Sequence, residues 1–267
     1  MKEKRKDKII VFLVAIVLVL VLVVLLTLIK GKSIDTNSSL INEIYAKLGQ
    51  NDLSYCAGLE TYSIDTIDYD KIDPAMRICS SIAEIYEKED FTLMKIDKSK
   101  KNNTCSIDEN VIFATDNYEE DLCSVYRIDK SRVEEVYQNI YGKKIEEYST
   151  VNLNNTIVCY TTAAYYYCGL SERFTVTVGN EPETFRGIKE ARKSGNKIII
   201  YDYFIKILND ECYTSYKDST LNSSCTAEYK TNKDIDFNFL KRFGTMYKHT
   251  FIKDADNIYH WIQSEPK

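Results

Sequence analysis

Three kinds of residue in this chain have the types to do chemistry: eight cysteines, two histidines and a surplus of carboxylates. A cysteine nucleophile needs a base to take its proton, and the two histidines, His249 and His260, both follow the last cysteine, Cys225. They sit in the alternating stretches YKHTF and IYHWI, a strand pattern in which histidine serves packing or surface. Neither an S-x-G-C nor a T-L-x-T-C stretch, two settings of surface-enzyme thiols, is present. Without a C-x-x-C, the sequence encodes no dithiol redox site and no thiolate pair for zinc.

Glycoside hydrolysis needs two carboxylates held across one bond, and an acid-rich chain offers many candidates with no pattern that singles out two. Asp65, Asp68, Asp70 and Asp73 crowd together as calcium ligands do, but they lack EF-hand spacing and its glycine, and Asp73 reads as a helix cap. Asp254 to Glu265 places acids at the first, third and last positions of such a loop; Tyr259 then stands where glycine must be. No G-x-S-x-G, P-loop, G-x-G-x-x-G or H-E-x-x-H occurs. No catalytic, cofactor-binding or metal-ligating residue is assigned.

The cysteines carry a different message. Cys56, Cys79, Cys105, Cys123, Cys159, Cys168, Cys212 and Cys225 form an even set on one side of an apolar run, the pattern of a disulfide framework in an oxidising compartment. Eight cysteines allow on the order of a hundred connectivities. They fall as four neighbouring couples, so pairing in sequence order is the expectation, each bridge contributing about 2–4 kcal/mol by restricting the unfolded chain.

The apolar run is IIVFLVAIVLVLVLVVLLTLI, residues 9–29, with Thr27 its only polar member. At about 1.5 Å per residue it reaches roughly 31 Å, the thickness of a hydrocarbon core. A cleaved leader has a shorter core and a small-residue exit; here the exit is Leu28, Ile29, Lys30, Gly31, Lys32, and a retained signal anchor is expected. Lys2, Lys4, Arg5, Lys6 and Lys8 precede the run, which puts residues 1–8 in the cytoplasm and the remainder outside the plasma membrane. The run holds no ionisable residue and no G-x-x-x-G, and reads as a passive tether.

Residues 33–267 carry 28 Lys and Arg against 38 Asp and Glu, a formal charge of −10, which argues against nucleic acid as a partner. Their length suffices for a buried core. Most of the 21 tyrosines are expected at half-buried strand and packing positions. Helix signals are clear in SSLINEIYAKLG; in DPAMRICSSIAEIYEK, with Asp73 as cap and Pro74 in the first turn; and in SRVEEVYQNIYG, with Ser131 and Glu134 as a capping box and Gly142 as stop. A short helix is expected from Asp236 to Phe243, closed by Gly244. From about residue 155 the period changes to two, in TIVCYTTAAYYYC, RFTVTV, KIIIYDYFIKIL, CTAEYKT, YKHTFI and NIYHWIQ, an antiparallel meander. Helices first and strands afterwards predict an α+β fold, with helices on one face of a curved antiparallel sheet, cystatin-like or NTF2-like by analogy. The expected organisation is a helical disulfide-containing region at 33–125 and an α+β domain at 126–267.

The lysine-rich start, the Val/Leu anchor, Cys56-Ala-Gly-Leu, Ile140-Tyr141-Gly142-Lys143, Tyr247-Lys248-His249-Thr250-Phe251, Tyr259-His260-Trp261 and Ser264-Glu265-Pro266 together resemble uncharacterised single-pass exported proteins of low-GC Gram-positive-type bacteria. The resemblance implies location and architecture and carries over no catalytic residue. The expected function is a membrane-tethered, non-enzymatic module that binds an extracytoplasmic protein or glycan. An envelope enzyme using paired carboxylates and a structural subunit of a membrane complex are the alternatives. Four glycosylation sequons, Asn37-Ser-Ser, Asn102-Asn-Thr, Asn154-Asn-Thr and Asn222-Ser-Ser, would matter in a eukaryotic host.

Overall fold

The computed structural model describes residues 16–19, 31–49, 56, 60–99, 104–115, 122–153, 156–171, 182–216 and 220–267. Of the expected anchor only residues 16–19 are among them, helical and exposed, and the rest of that run lies outside the described residues, as does RFTVTV. Among the described residues no helix is long and apolar enough to cross a membrane.

The fold is α+β with antiparallel sheets. Helix α1 (Ser39–Ala46) starts where the Ser38 hydroxyl accepts the Ile41 N–H, and α2 (Pro74–Glu87) where the Asp73 carboxylate accepts the Ala75 N–H at 2.8 Å. Helix α3 (Lys130–Tyr141) ends on Gly142, whose φ of 67° is the left-handed conformation of a helix stop; a Cβ there would also meet the His260 ring at 2.9 Å. The expected capping box of α3 does not form. Asp129 is the N-cap without a side-chain bond, and Glu134 instead accepts from Gln138, the Ile145 N–H and the Tyr148 hydroxyl, anchoring the segment after the helix. CTAEYKT, read as a strand, lies in helix α4 (Ser223–Thr231), because the Asn222 side chain caps the Cys225 N–H and Cys225 is bonded to Cys212. Helix α5 (Phe237–Phe243) follows its Asp236 cap.

The strands divide between two main sheets where a single meander was expected. The first has the order β1 (Lys32–Ile34), β10 (Glu183–Ser194), β11 (Lys197–Leu208), β13 (Thr245–Lys253), β14 (Tyr259–Pro266), β2 (Ile67–Asp68), with β12 (Glu211–Tyr213) continuing along β11 beyond the end of β13. The second has the order β3 (Thr92–Asp97), β6 (Leu122–Asp129), β9 (Tyr165–Leu170), β8 (Ile157–Thr161), β7 (Val151–Asn152), with the hairpin β4 (Thr104–Asp108) and β5 (Val111–Ala114) packed on it. Strands β3 to β5 and the start of β6 thus occupy a stretch expected to be helical. Their alternation is diluted by charged residues on the solvent side, as in Thr92-Leu-Met-Lys-Ile-Asp.

Helices α1 to α3 fill the space between the sheets. Ile41, Ile44, Ile82, Val133 and Ile140 meet Ile198, Ile200 and Trp261 of the first sheet and Tyr166 of the second in one continuous core. Helices α4 and α5 cover the opposite face of β11 through Tyr203, Ile205 and Ile207. Four disulfides, Cys56–Cys79, Cys105–Cys123, Cys159–Cys168 and Cys212–Cys225, link neighbours along the chain. Cys159 and Cys168 face each other in the β8–β9 register.

Candidate functional site

Strand β11 reads KIIIYDYFIKIL, and Asp202 is the one acid in it. Its side chain shares the inward face with Ile200 and Phe204 and is fully buried. A carboxylate there is tenable only with donors around it. Two come from tyrosines: the Tyr45 hydroxyl of α1 donates to Oδ2 at 2.5 Å and the Tyr62 hydroxyl at 2.6 Å. The third is His249 Nε2, 3.0 Å from Oδ1.

The register sets this up. Ile200 pairs with His249 across β11 and β13, and His249 pairs with Ser264 across β13 and β14, so the three polar residues run diagonally over one face. A bulge shifts the β13–β14 register after Trp261 and turns Ile262 to solvent, which brings Trp261 and Ser264 to the same side. Ser264 Oγ lies 2.6 Å from His249 Nδ1 and accepts the Trp261 indole N–H at 2.9 Å. With the hydrogen on Nε2 every donor finds an acceptor: Trp261 to Ser264, Ser264 to His249, His249 to Asp202, and both tyrosines to Asp202. Burial, then the Asp202 charge, push the Tyr45 and Tyr62 hydroxyls well above their ordinary titration range. Half-buried Arg186 lies 3.5 Å from the Tyr62 hydroxyl, and its attraction to these groups and to Asp202 outweighs its own desolvation.

Serine, histidine and aspartate in line have the connectivity of a nucleophilic triad. Asp202, His249 and Ser264 are nevertheless all at 0 % exposure, and the serine oxygen already holds the indole N–H. A nucleophile has to touch its substrate. The line is a buried strut joining β11, β13 and β14 to α1.

The other histidine stands at a surface groove of about 820 Å³ bounded by α1, the end of α2, α3 and the β13–β14 turn. His260 Nε2 is 2.8 Å from Asp254 Oδ2, and Nδ1 is 3.0 Å from the Asn139 carbonyl in the last turn of α3. Both nitrogens face oxygen atoms. Asp254 Oδ1 accepts the Ile258 N–H at 2.8 Å, which closes the turn. The His260 hydrogen bond first, and that backbone bond second, hold the Asp254 carboxyl below its usual range.

Lys47 is bonded to two residues of the lining, Asn139 and Tyr259. Its ammonium donates to the Asn139 carbonyl, the Asn139 side chain and the Tyr259 carbonyl at 2.7–2.9 Å, tying the C-terminus of α1 to α3 and β14. Burial lowers its pKa to about 8, against the pull of Glu43, Glu84 and Asp254. The rim is charged and internally paired: Lys88 with Glu84 at 2.6 Å, Arg132 with Glu135 at 2.7 Å, and Lys143 with Asp70 at 3.6 Å and over the Tyr69 ring.

Sequence reasoning named both histidines but gave them no partners, and it missed Asp202, Ser264, Tyr45, Tyr62 and Lys47. Only Asp202, an acid inside an apolar strand, carried a visible signal. In the acidic stretch 65–73, Asp73 caps α2 and Asp70 faces Lys143, and among the described residues no three His, Cys, Asp or Glu converge as a metal site. Asp254 and Glu265 are likewise separate, Glu265 being held by Lys248 and Lys267. The sequon Asn222 has its side chain committed, to the Cys225 N–H and the Phe243 carbonyl. Comparison with family models, with curated proteins and with solved structures returns no match.

Proposed function

We propose that the chain is a single-pass protein of the plasma membrane whose disulfide-bonded domain lies outside and binds an envelope or extracellular partner, protein or glycan, in the groove beside His260. The groove carries this reading: it is broad with a charged rim, and its side chains are fixed by ion pairs and by the Lys47 and His260 bonds. A surface built this way offers a polar partner many hydrogen-bonding positions at little ordering cost. Four disulfides suit an oxidising exterior, and the sequence of residues 9–29 supplies the tether. Against the carboxylate-enzyme alternative stands Asp254, an acid of the groove held by His260 and by the Ile258 N–H. Its carboxyl is kept ionised, the reverse of what a general acid requires.

The test places a photocrosslinking residue at Lys144, on the groove, or at Lys230, on α4 at the other side of the first sheet, in intact cells. A discrete adduct from position 144, absent from 230 and lost on Asp256→Lys, is the expected result. Identical adducts from both positions overturn the reading. So does hydrolysis or transfer on cell-wall substrates that a single carboxylate substitution abolishes.

A further inference from the structure

The apolar run ends at Ile29 and β1 begins at Lys32. Three residues span at most about 10 Å, so the end of the first sheet where β1 enters is held close to the surface that the run leaves. That end is basic. Lys32 pairs with Lys193 across β1 and β10, Ser33 with Arg192, and Ser194 with Lys197 across the β10–β11 turn. Lys253, whose N–H donates to the Asn196 carbonyl, adds a fifth cation from β13.

Like charges directly opposite in a strand pair repel, and Lys32, Lys193 and Lys197 have no carboxylate partner among the described residues. Of the acids nearby, Glu190 is engaged by Arg192 at 2.8 Å, Asp254 by His260 and Asp35 by the Asn37 N–H, which leaves Asp256. The remaining charge of residues 33–267 is acidic in sum. Ile258, 40 % exposed in the β13–β14 turn at this same end, adds an apolar contact.

We propose that this end of the sheet, through Lys32, Lys193, Lys197 and Lys253, docks on the anionic headgroups of the bilayer that holds the tether. The inference rests on the tether reading above. The missing counter-charge for the facing lysines is supplied by lipid phosphates, and the acidic body is repelled from the same surface, so the domain stands with β10 and β11 rising from the membrane. Each basic group beside an anionic surface favours the bound state about fivefold. The docked domain carries its groove at the membrane face, because the β13–β14 turn lies at that end.

The experiment uses the full chain in vesicles of phosphatidylcholine, with or without phosphatidylglycerol, and headgroup-located spin labels. A fluorophore on Asn196→Cys reports the basic end, and one on Glu183→Cys the opposite end of β10. Quenching at 196 that appears only with phosphatidylglycerol, falls in high salt and exceeds that at 183 about fivefold is expected. Reversal by Lys32→Glu, Lys193→Glu and Lys197→Glu together abolishes it while flotation persists. Equal quenching at the two positions, or quenching at 196 indifferent to both lipid and salt, overturns the docking while leaving the tether intact. A chain that fails to float with phosphatidylcholine overturns the tether itself, and the docking with it unless phosphatidylglycerol alone restores both flotation and quenching at 196.

Discussion

His249 and His260 occupy the two strands of one hairpin, each within 3.0 Å of a carboxylate, yet their settings differ in every other respect. The His249–Asp202 pair is sealed within a set of five hydrogen bonds that also holds Tyr45, Tyr62, Ser264 and Trp261. The His260–Asp254 pair stands at a groove, its carboxylate exposed and its second contact a helix carbonyl. Burial decides what the same two side chains do. Inside, leaving any member unpaired costs the desolvation of a polar group, so the set acts as a unit. At the surface water replaces a lost partner, and the pair becomes a local latch on the β13–β14 turn.

The comparison is broken or upheld most directly at the two aspartates. Asp202→Ala strands two tyrosine hydroxyls and the His249 N–H in the core and is expected to cost about 3–5 kcal/mol, read as a lower urea midpoint with the disulfides closed. Asp254→Ala is expected to leave the global midpoint near that of the parent. Equal losses from the two substitutions would mean that burial does not separate the pairs. Ser264→Ala removes a middle link, leaving the Trp261 N–H unanswered, and is expected to cost about 1–3 kcal/mol.

Lys47 lies between the two settings, buried like the strut yet bonded to Asn139 and Tyr259, which line the groove. Its folded pKa of about 8 is below the ordinary lysine value, so between these two the unfolded chain binds the proton that the folded chain has released. Its contribution to stability therefore rises with pH across that window, by at most about 3 kcal/mol. Above the ordinary tyrosine range the sign reverses: Tyr45, Tyr62 and Tyr141, raised by burial, resist ionisation only while folded. Lys47→Met should remove the rise between pH 8 and 10. A parent whose midpoint is flat there would show that the ammonium is not desolvated.

How much of this is legible in the sequence depends on how far apart the partners lie. Asp73-Pro74 and Gly142 act on their own helices, so local pattern suffices to place α2 and the end of α3. Glu134 looked equally local and is not, because Ile145 and Tyr148 outbid the helix start for its oxygens. Strict alternation would place Gln263 inward after Trp261; the bulge puts Ser264 there, and no period-two reading anticipates a broken period. Asp202 announces a buried charge, but its partners come from positions 45, 62 and 249, which only the folded topology brings together. The pairing of Cys212 with Cys225 helps make a helix of a segment whose composition suggested a strand.

The smallest effect sharpens the comparison from its exposed side. The Asp254 carboxyl is lowered first by His260 and next by the Ile258 N–H, so its contribution is present above the ordinary carboxylate value and is lost as pH falls through the lower, folded one. Losing it frees the Ile258 amide without touching Asp202, whose partners are Tyr45, Tyr62 and His249. Amide exchange at Ile258 should therefore accelerate on acidification while the buried strut stays protected, and His260→Ala should move that onset to higher pH. If the Ile258 amide and the core amides of β11 lose protection together in the parent, the turn is no independent latch, and the two pairs form one cooperative unit despite their difference in burial.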